Sequence, residues 1–157
     1  KIKKSCKLAK QILNFAGRCV KPGVTTDWID QQVHKAITEA GAYPSPLLYH
    51  GFPKACCISV NECVIHGVPS PFCELQDGDV VHIDVTVYLD GFHGDCSDTF
   101  FCGDKFEPHL LKMADVARSM VLESCSKLRP TVPLSTIAEV CTEIAAREDF
   151  YLVDEVA

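Results

Sequence analysis

Residues 80–101, VVHIDVTVYLDGFHGDCSDTFF, constrain the fold more than any other stretch, because two alternating runs meet at Asp90-Gly91. An Asp-Gly pair between such runs is the strongest short-range signal for a two-residue hairpin turn. That turn sets the register: Thr86 faces Asp95, and Asp84 faces Ser97. Side chains alternate across a strand, so one face gathers His82, Asp84, Thr86, His93, Asp95, Ser97 and Thr99. The other is nearly all apolar, with Val81, Ile83, Val85 and Val87 against Phe92, Cys96 and Phe100.

Asp84 and Asp95 become diagonal neighbours on the polar face, with Cα atoms about 7–8 Å apart. Two carboxylates brought together in a partly buried site repel each other and lose hydration, which raises one pKa or calls for a cation. A divalent ion answers both costs, and oxygen ligands suit Mn, Co, Zn or Mg. Spacing alone leaves two other readings open: a solvated outer face, which alternation in an antiparallel sheet ordinarily means, and a slipped turn register. Two aspartates do not complete a metal site.

The rest of the chain alternates helices with these strands. Residues 1–20 place Ile2, Cys6, Ala9, Ile12, Leu13 and Ala16 at helical spacing. A second helix is expected from Thr26 or Asp27 as N-cap to Gly41, burying Ile29, Val33, Ala36 and Ile37. The proline-broken YPSPLLYHGFP reads as a loop and CCISV, 56–60, as a strand. Helices are expected over 108–128, with Leu111, Ala114, Val121, Leu122 and Cys125 on the apolar face, and from Ser135 to about Arg147; a strand begins at Tyr151–Val153.

Residues 21–37, KPGVTTDWIDQQVHKAI, align without a gap on 129–145, RPTVPLSTIAEVCTEIA. A chance match of helix starts is one explanation and an internal repeat the other. On the repeat reading, the counterpart of the hairpin falls beyond residue 157, so the chain holds about one and a half repeats of a two-repeat fold.

Composition narrows the class. At 157 residues and 47% apolar, the chain suits one domain, 1–157, with its own core. A net charge of −6 without a basic stripe argues against nucleic acid or an anionic membrane as partner. No apolar run approaches the roughly 20 residues of a membrane helix, and KIKKSCKLAK reads as an unprocessed, soluble start. Ten cysteines without a C-x-x-C pair fit small core residues of a reducing compartment, so a cytoplasmic location is expected before a mitochondrial one.

Several motifs then carry a resemblance. VKPGVTT, YHGFPKACCISVNECVIHGVPS and LQDGDVVHIDVTVYLDGFHGDCSDTFF resemble the N-terminal half of type I methionine aminopeptidases, in that family's order and spacing. The resemblance implies the pita-bread fold, an α+β architecture of two pseudo-symmetric halves whose antiparallel sheet is covered by helices on one face. It makes the chain an incomplete N-terminal portion of a catalytic domain, the first half plus the start of the second repeat.

It further implies removal of the N-terminal methionine from nascent polypeptides with a small second residue, through a hydroxide held by two divalent metal ions (Co, Mn, Zn or Fe). By resemblance, Asp84 chelates one ion and Asp95 bridges both, while a His and two Glu ligands lie in the missing C-terminal half. His66 corresponds to the catalytic, substrate-facing histidine, and imidazole suits hydrogen bonding to a peptide group near neutral pH. Tyr49, His50, Phe52 and Cys57 fall in the methionine side-chain pocket, where Pro46 replaces the Cys of some members. Asn61 and Cys63 fall where backbone carbonyls hold a monovalent cation. His82 and His93 receive no metal role and are expected to support the site or face solvent. A complete protein is expected to be a monomer that associates with the ribosome, and the 157-residue piece alone to be inactive. Two other readings remain: a pita-bread peptidase of the Xaa-Pro type, and a binding protein that kept the fold and lost its metals.

Overall fold

The computed structural model describes residues 1–153. The chain divides into two compact units, Lys1–Phe106 and Glu107–Ala157.

The first unit is a four-stranded antiparallel sheet with two helices on one face. Strand β3 (Val80–Leu89) is central: β4 (Phe92–Phe101) pairs along one edge, and β1 (Tyr43–Pro44) and β2 (Cys57–Val60) share the other. The hairpin has the expected register, Thr86 opposite Asp95 and Asp84 opposite Ser97. The cause is local: Asp90 and Gly91 both take positive φ, 53° and 88°, as a primed two-residue turn demands. Burial alternates along β3, with Val81, Ile83, Val85 and Val87 fully covered.

Helices α1 (Ile2–Cys19) and α2 (Thr26–Glu39) cover those valines and Ile83 with Ala9, Ile12, Leu13, Ala16, Ile29, Val33 and Ile37. Burying such side chains is worth roughly 1.5–3 kcal/mol each, which makes this layer the main source of stability. Helix α1 lies so close to β4 that a Cβ on Gly94 would meet the Ser5 backbone carbon at 2.2 Å. Ser5, not Cys6, is therefore the buried residue at that turn, and Ile2 and Cys6, expected inside, are exposed.

Several boundaries differ from expectation. The N-cap of α2 is Thr25, whose hydroxyl accepts from Trp28 N. Thr26 is instead buried, exchanging hydrogen bonds with the backbone of Ser70. The helix ends at Glu39, followed by Gly41 at a φ of 72°. The YPSP stretch expected as a loop begins with β1, paired Tyr43 to Tyr88 and Pro44 to Val87. Its proline sits at a sheet edge, the position where a strand tolerates one.

The second unit is a helix pair, α3 (Pro108–Lys127) and α4 (Ser135–Glu148). Val116, Val140 and Ile144 form its core, with Met120 and Phe150 packed against them. The buried face of α3 is not the expected one: Leu111, Val121, Leu122 and Cys125 are exposed, while Val116 and Ser124 are buried. Residues 151–153 are irregular, so the strand expected there does not form among the described residues. All ten cysteines are free, but the core reading fits only some; Cys56, Cys57 and Cys102 are buried and Cys6, Cys63 and Cys125 exposed.

Candidate active site

The face of the sheet opposite α1 and α2 carries a cavity of about 740 Å³. Its floor is built by β3 and β4, which present Asp84, Thr86, His93 and Asp95. Alternation explains why these four share one face, and the Asp90-Gly91 turn explains why they meet.

The two carboxyl groups interact directly. Burial, then the Asp95 charge and a hydrogen bond to Asp95, push Asp84 up to about 6, against a weaker opposing pull from His66. Thr86 Oγ1 donates to Asp95 Oδ1 at 2.8 Å, which holds the second carboxylate in one orientation. The pair thus has the chemistry of a cation site: two adjacent oxygen donors, one of them favouring a proton in the absence of other positive charge. Among the described residues, no group of three or more His, Cys, Asp or Glu side chains is placed to hold a metal ion. Two carboxylates suit a divalent ion in their chemistry and are too few to hold it alone.

One wall comes from the chain just before and after β2. Cys57 lies directly opposite Asp84 in the β2–β3 register and lines the cavity. Burial, with the charges of Asp84 and Asp95, pushes its thiol up to about 11, so it meets a ligand as a neutral, polarizable group. Tyr49 and His50 sit in a 3₁₀ turn, Tyr49–Gly51, with their rings edge to face at 4.4 Å. Leu48 and His50 both take positive φ, 67° and 46°, a conformation that non-glycine residues adopt at an energetic cost. Phe52 and Pro53 continue the wall, with Ser45 and Pro46 beside them.

His66 reaches the same cavity by a different device. Gly67 N donates to Ser59 Oγ at 3.0 Å, and Ile58 N donates to Gly67 O at 2.9 Å, so the loop after β2 is pinned back onto that strand. His66 precedes this clamp at a φ of 54°, in the left-handed region where histidine is among the better tolerated residues. Its imidazole is exposed into the cavity that holds Asp84 and Asp95.

Seven of the residues singled out from sequence, Tyr49, His50, Phe52, Cys57, His66, Asp84 and Asp95, thus line one cavity. Asn61 and Cys63 do not line it. Asn61 spends its side chain on the start of β3, accepting from Val80 N and donating to Asp79 Oδ1. His82 is half-buried against Thr99 Oγ1, and burial lowers its pKa. His93 lines the cavity, with Nδ1 2.9 Å from Ser45 Oγ. Thr86 and Ser45 line the cavity as well, Thr86 by virtue of the hairpin register that sets it opposite Asp95 and Ser45 without any sequence signal.

The sequence profile of metallopeptidase family M24 matches residues 1–156. Over 104 residues the chain is 62% identical to methionine aminopeptidase 1B, chloroplastic, of Arabidopsis thaliana, covering 66% of this chain and 28% of that protein. Over 147 residues it is 47% identical to methionine aminopeptidase 1C, chloroplastic/mitochondrial, of the same plant, covering 94% of this chain and 42% of that one. The crystal structure of methionine aminopeptidase from Rickettsia prowazekii superposes with a TM-score of 0.90 at 36% identity, covering 93% of this chain and 58% of that chain. The chain therefore spans about half the length, or less, of these relatives. It belongs to metallopeptidase family M24, and its two units correspond to about the first half of the pita-bread fold of that family's methionine aminopeptidases.

Proposed function

We propose that the complete protein is a methionine aminopeptidase, hydrolysing the bond after an N-terminal methionine that precedes a small second residue. The observation that carries this reading is the meeting of Asp84, Asp95 and His66 with the apolar wall of Tyr49, Phe52 and Cys57 in one cavity. Residues 1–157 then form one domain with the polypeptide that supplies the remaining His and Glu ligands.

In this reading Asp84 and Asp95 would hold one side of a two-ion metal centre, each through its carboxylate oxygens. When bound, two divalent ions supply Lewis acidity that lowers the pKa of water and stabilises oxyanion charge. His66 donates a hydrogen bond to the scissile peptide group and orients it over the carboxylates. The aromatic and thiol groups of the wall receive the thioether side chain, for which ring edges and sulfur are favourable neighbours. His50 closes the rim against Tyr49, and the carbonyls near Asn61 and Cys63 would hold a monovalent cation. The complete protein acts as a monomer on nascent chains at the ribosome. The relatives' names point to an organelle and the ten thiols fit the cytosol, so cell fractionation decides the location.

The test is a peptide panel on the full-length protein. Cleavage of Met-Ala-Ser, loss of turnover on chelation, recovery with Mn or Co, and no cleavage of Xaa-Pro peptides are expected. Cleavage of the Xaa-Pro peptides alone would overturn this reading, and turnover by residues 1–157 alone would overturn the expectation that this piece is inactive.

A further inference from the structure

Helix α2 carries a carboxylate where a core residue belongs. Asp30 is 6% exposed, between Ile29 and Val33 on the buried side of the helix. Burying an ionisable group costs several kcal/mol unless hydrogen bonds offset it, and an apolar residue would serve the core better. Burial pushes the Asp30 carboxyl up, while the bonds it accepts pull it down.

Those bonds all go to one place. Asp30 Oδ1 accepts from Ala55 N at 2.8 Å, Cys56 N at 3.1 Å and the Cys56 thiol at 3.6 Å. Three residues earlier on the same helix, Asp27 pairs with Lys54. Two carboxylates one turn apart thus grip residues 54–56. This strap runs between Phe52 and Pro53, which line the cavity, and Cys57, which lines it opposite Asp84. Phe52 is tied by backbone bonds to Leu48 and Tyr49, and Cys57 by pairing with β3; between these anchored ends Pro53 brings no backbone N–H, and the Asp30 bonds set the course of residues 54–56.

We propose that Asp30 is a positioning residue that sets the apolar wall of the cavity, and with it the discrimination for the substrate's first side chain. It touches no substrate. It acts by holding the amides of Ala55 and Cys56, which sets the spacing of Phe52 and Cys57 at the two ends of the strap. The choice of side chain rests on the function proposed above; the clamp itself does not.

The experiment uses the full-length protein with Asp30→Ala, which leaves both amides unsatisfied, and Asp30→Asn, whose amide oxygen still accepts them. In Asp30→Ala, hydrogen exchange at Ala55 and Cys56 accelerates at least about tenfold in the metal-free protein, since each bond is worth about 1.4 kcal/mol or more. The ratio of kcat/KM for Met-Ala-Ser over Leu-Ala-Ser falls about tenfold, the scale set by a change in apolar fit. The loss appears mainly in KM, and Asp30→Asn restores both readouts. Exchange and ratio unchanged in folded Asp30→Ala would overturn the proposal, as would a fall in kcat alone with the ratio intact. Where Asp30→Ala yields no folded protein, Asp30→Glu displaces the carboxylate by one methylene and takes its place: a changed ratio supports the clamp and an unchanged one overturns it. If the wild type cleaves neither peptide, the peptidase reading fails, and exchange at the two amides still decides the clamp.

Discussion

Gly67 lies against Ile58 so closely that a Cβ at position 67 would sit 2.2 Å from the Ile58 carbonyl oxygen. The neighbouring atoms are all backbone of β2, so no side chain can swing away to make room. Gly67→Ala therefore forces the loop off the strand and breaks the bonds to Ser59 and Ile58 that place His66. Overpacking of this kind costs about 1–3 kcal/mol. Displacing His66 by about 1 Å is expected to lower kcat/KM roughly 100-fold on top of that loss. Urea unfolding and peptide turnover of the folded variant separate the two effects. Wild-type turnover in a folded Gly67→Ala protein would show that the pinned loop does not place His66.

Thr86 offers a milder change at the other side of the cavity. Thr86→Val keeps the shape and removes the hydroxyl that donates to Asp95 Oδ1. With the carboxylate free to rotate, the affinity of the complete protein for Mn is expected to fall by about 10–100-fold, the usual effect of losing a bond that orients a ligand. Calorimetric titration of the metal-free variant measures this without reference to activity. An unchanged affinity would mean that Asp95 needs no such support.

How much of this could be read in the sequence depends on how local the cause is. The hairpin register was legible because Asp90-Gly91 is a local turn, and the alternation then assigned every side chain to a face. The cavity was only half legible: strand alternation placed Asp84 and Asp95 together, but a solvated face has the same pattern. Loop residues His50 and His66 take left-handed conformations that no propensity announces, so only the family resemblance, not local physics, places them beside the strands. Asp30 was invisible for a related reason. It looks like one more polar residue on an amphipathic helix, and its partners are 25 and 26 positions away. Thr25 cannot be told as the N-cap from sequence because Thr26 and Asp27 are equally good caps until Ser70 claims the Thr26 hydroxyl. The buried face of α3 is not legible because its apolar residues nearly encircle the helix, and periodicity cannot choose a side in that case.

Metal binding is expected to release a proton, with a pH dependence set by Asp84. In the metal-free protein its carboxyl is pushed up to about 6. Near pH 6 about half a proton leaves Asp84 for each site filled, and near pH 8 almost none does. Titrating Mn into the complete protein in two buffers of different ionisation enthalpy reads this directly. A release no larger near pH 6 than near pH 8 would mean that Asp84 is already ionised before the metal binds.

The same carboxyl ties the stability of the metal-free protein to pH. Its folded value of about 6 stands above the roughly 3.9 of an unfolded aspartate, so the folded state keeps a proton that the unfolded chain gives up between those values. Stability is therefore lost as pH rises from about 4 through about 6. Below about pH 4 the group is largely protonated in both states and the penalty is absent; above about pH 7 it is full, at roughly 1–3 kcal/mol. Asp84→Asn removes the charge and keeps the volume. The variant is expected to gain about 1–3 kcal/mol over the wild type near pH 7.5, and little near pH 4, when both are unfolded in urea without metal. A gain of equal size at both pH values would place the effect in packing or hydrogen bonding. A loss at pH 7.5 would mean that Asp84 meets a positive group in the metal-free protein stronger than the opposing charge of Asp95.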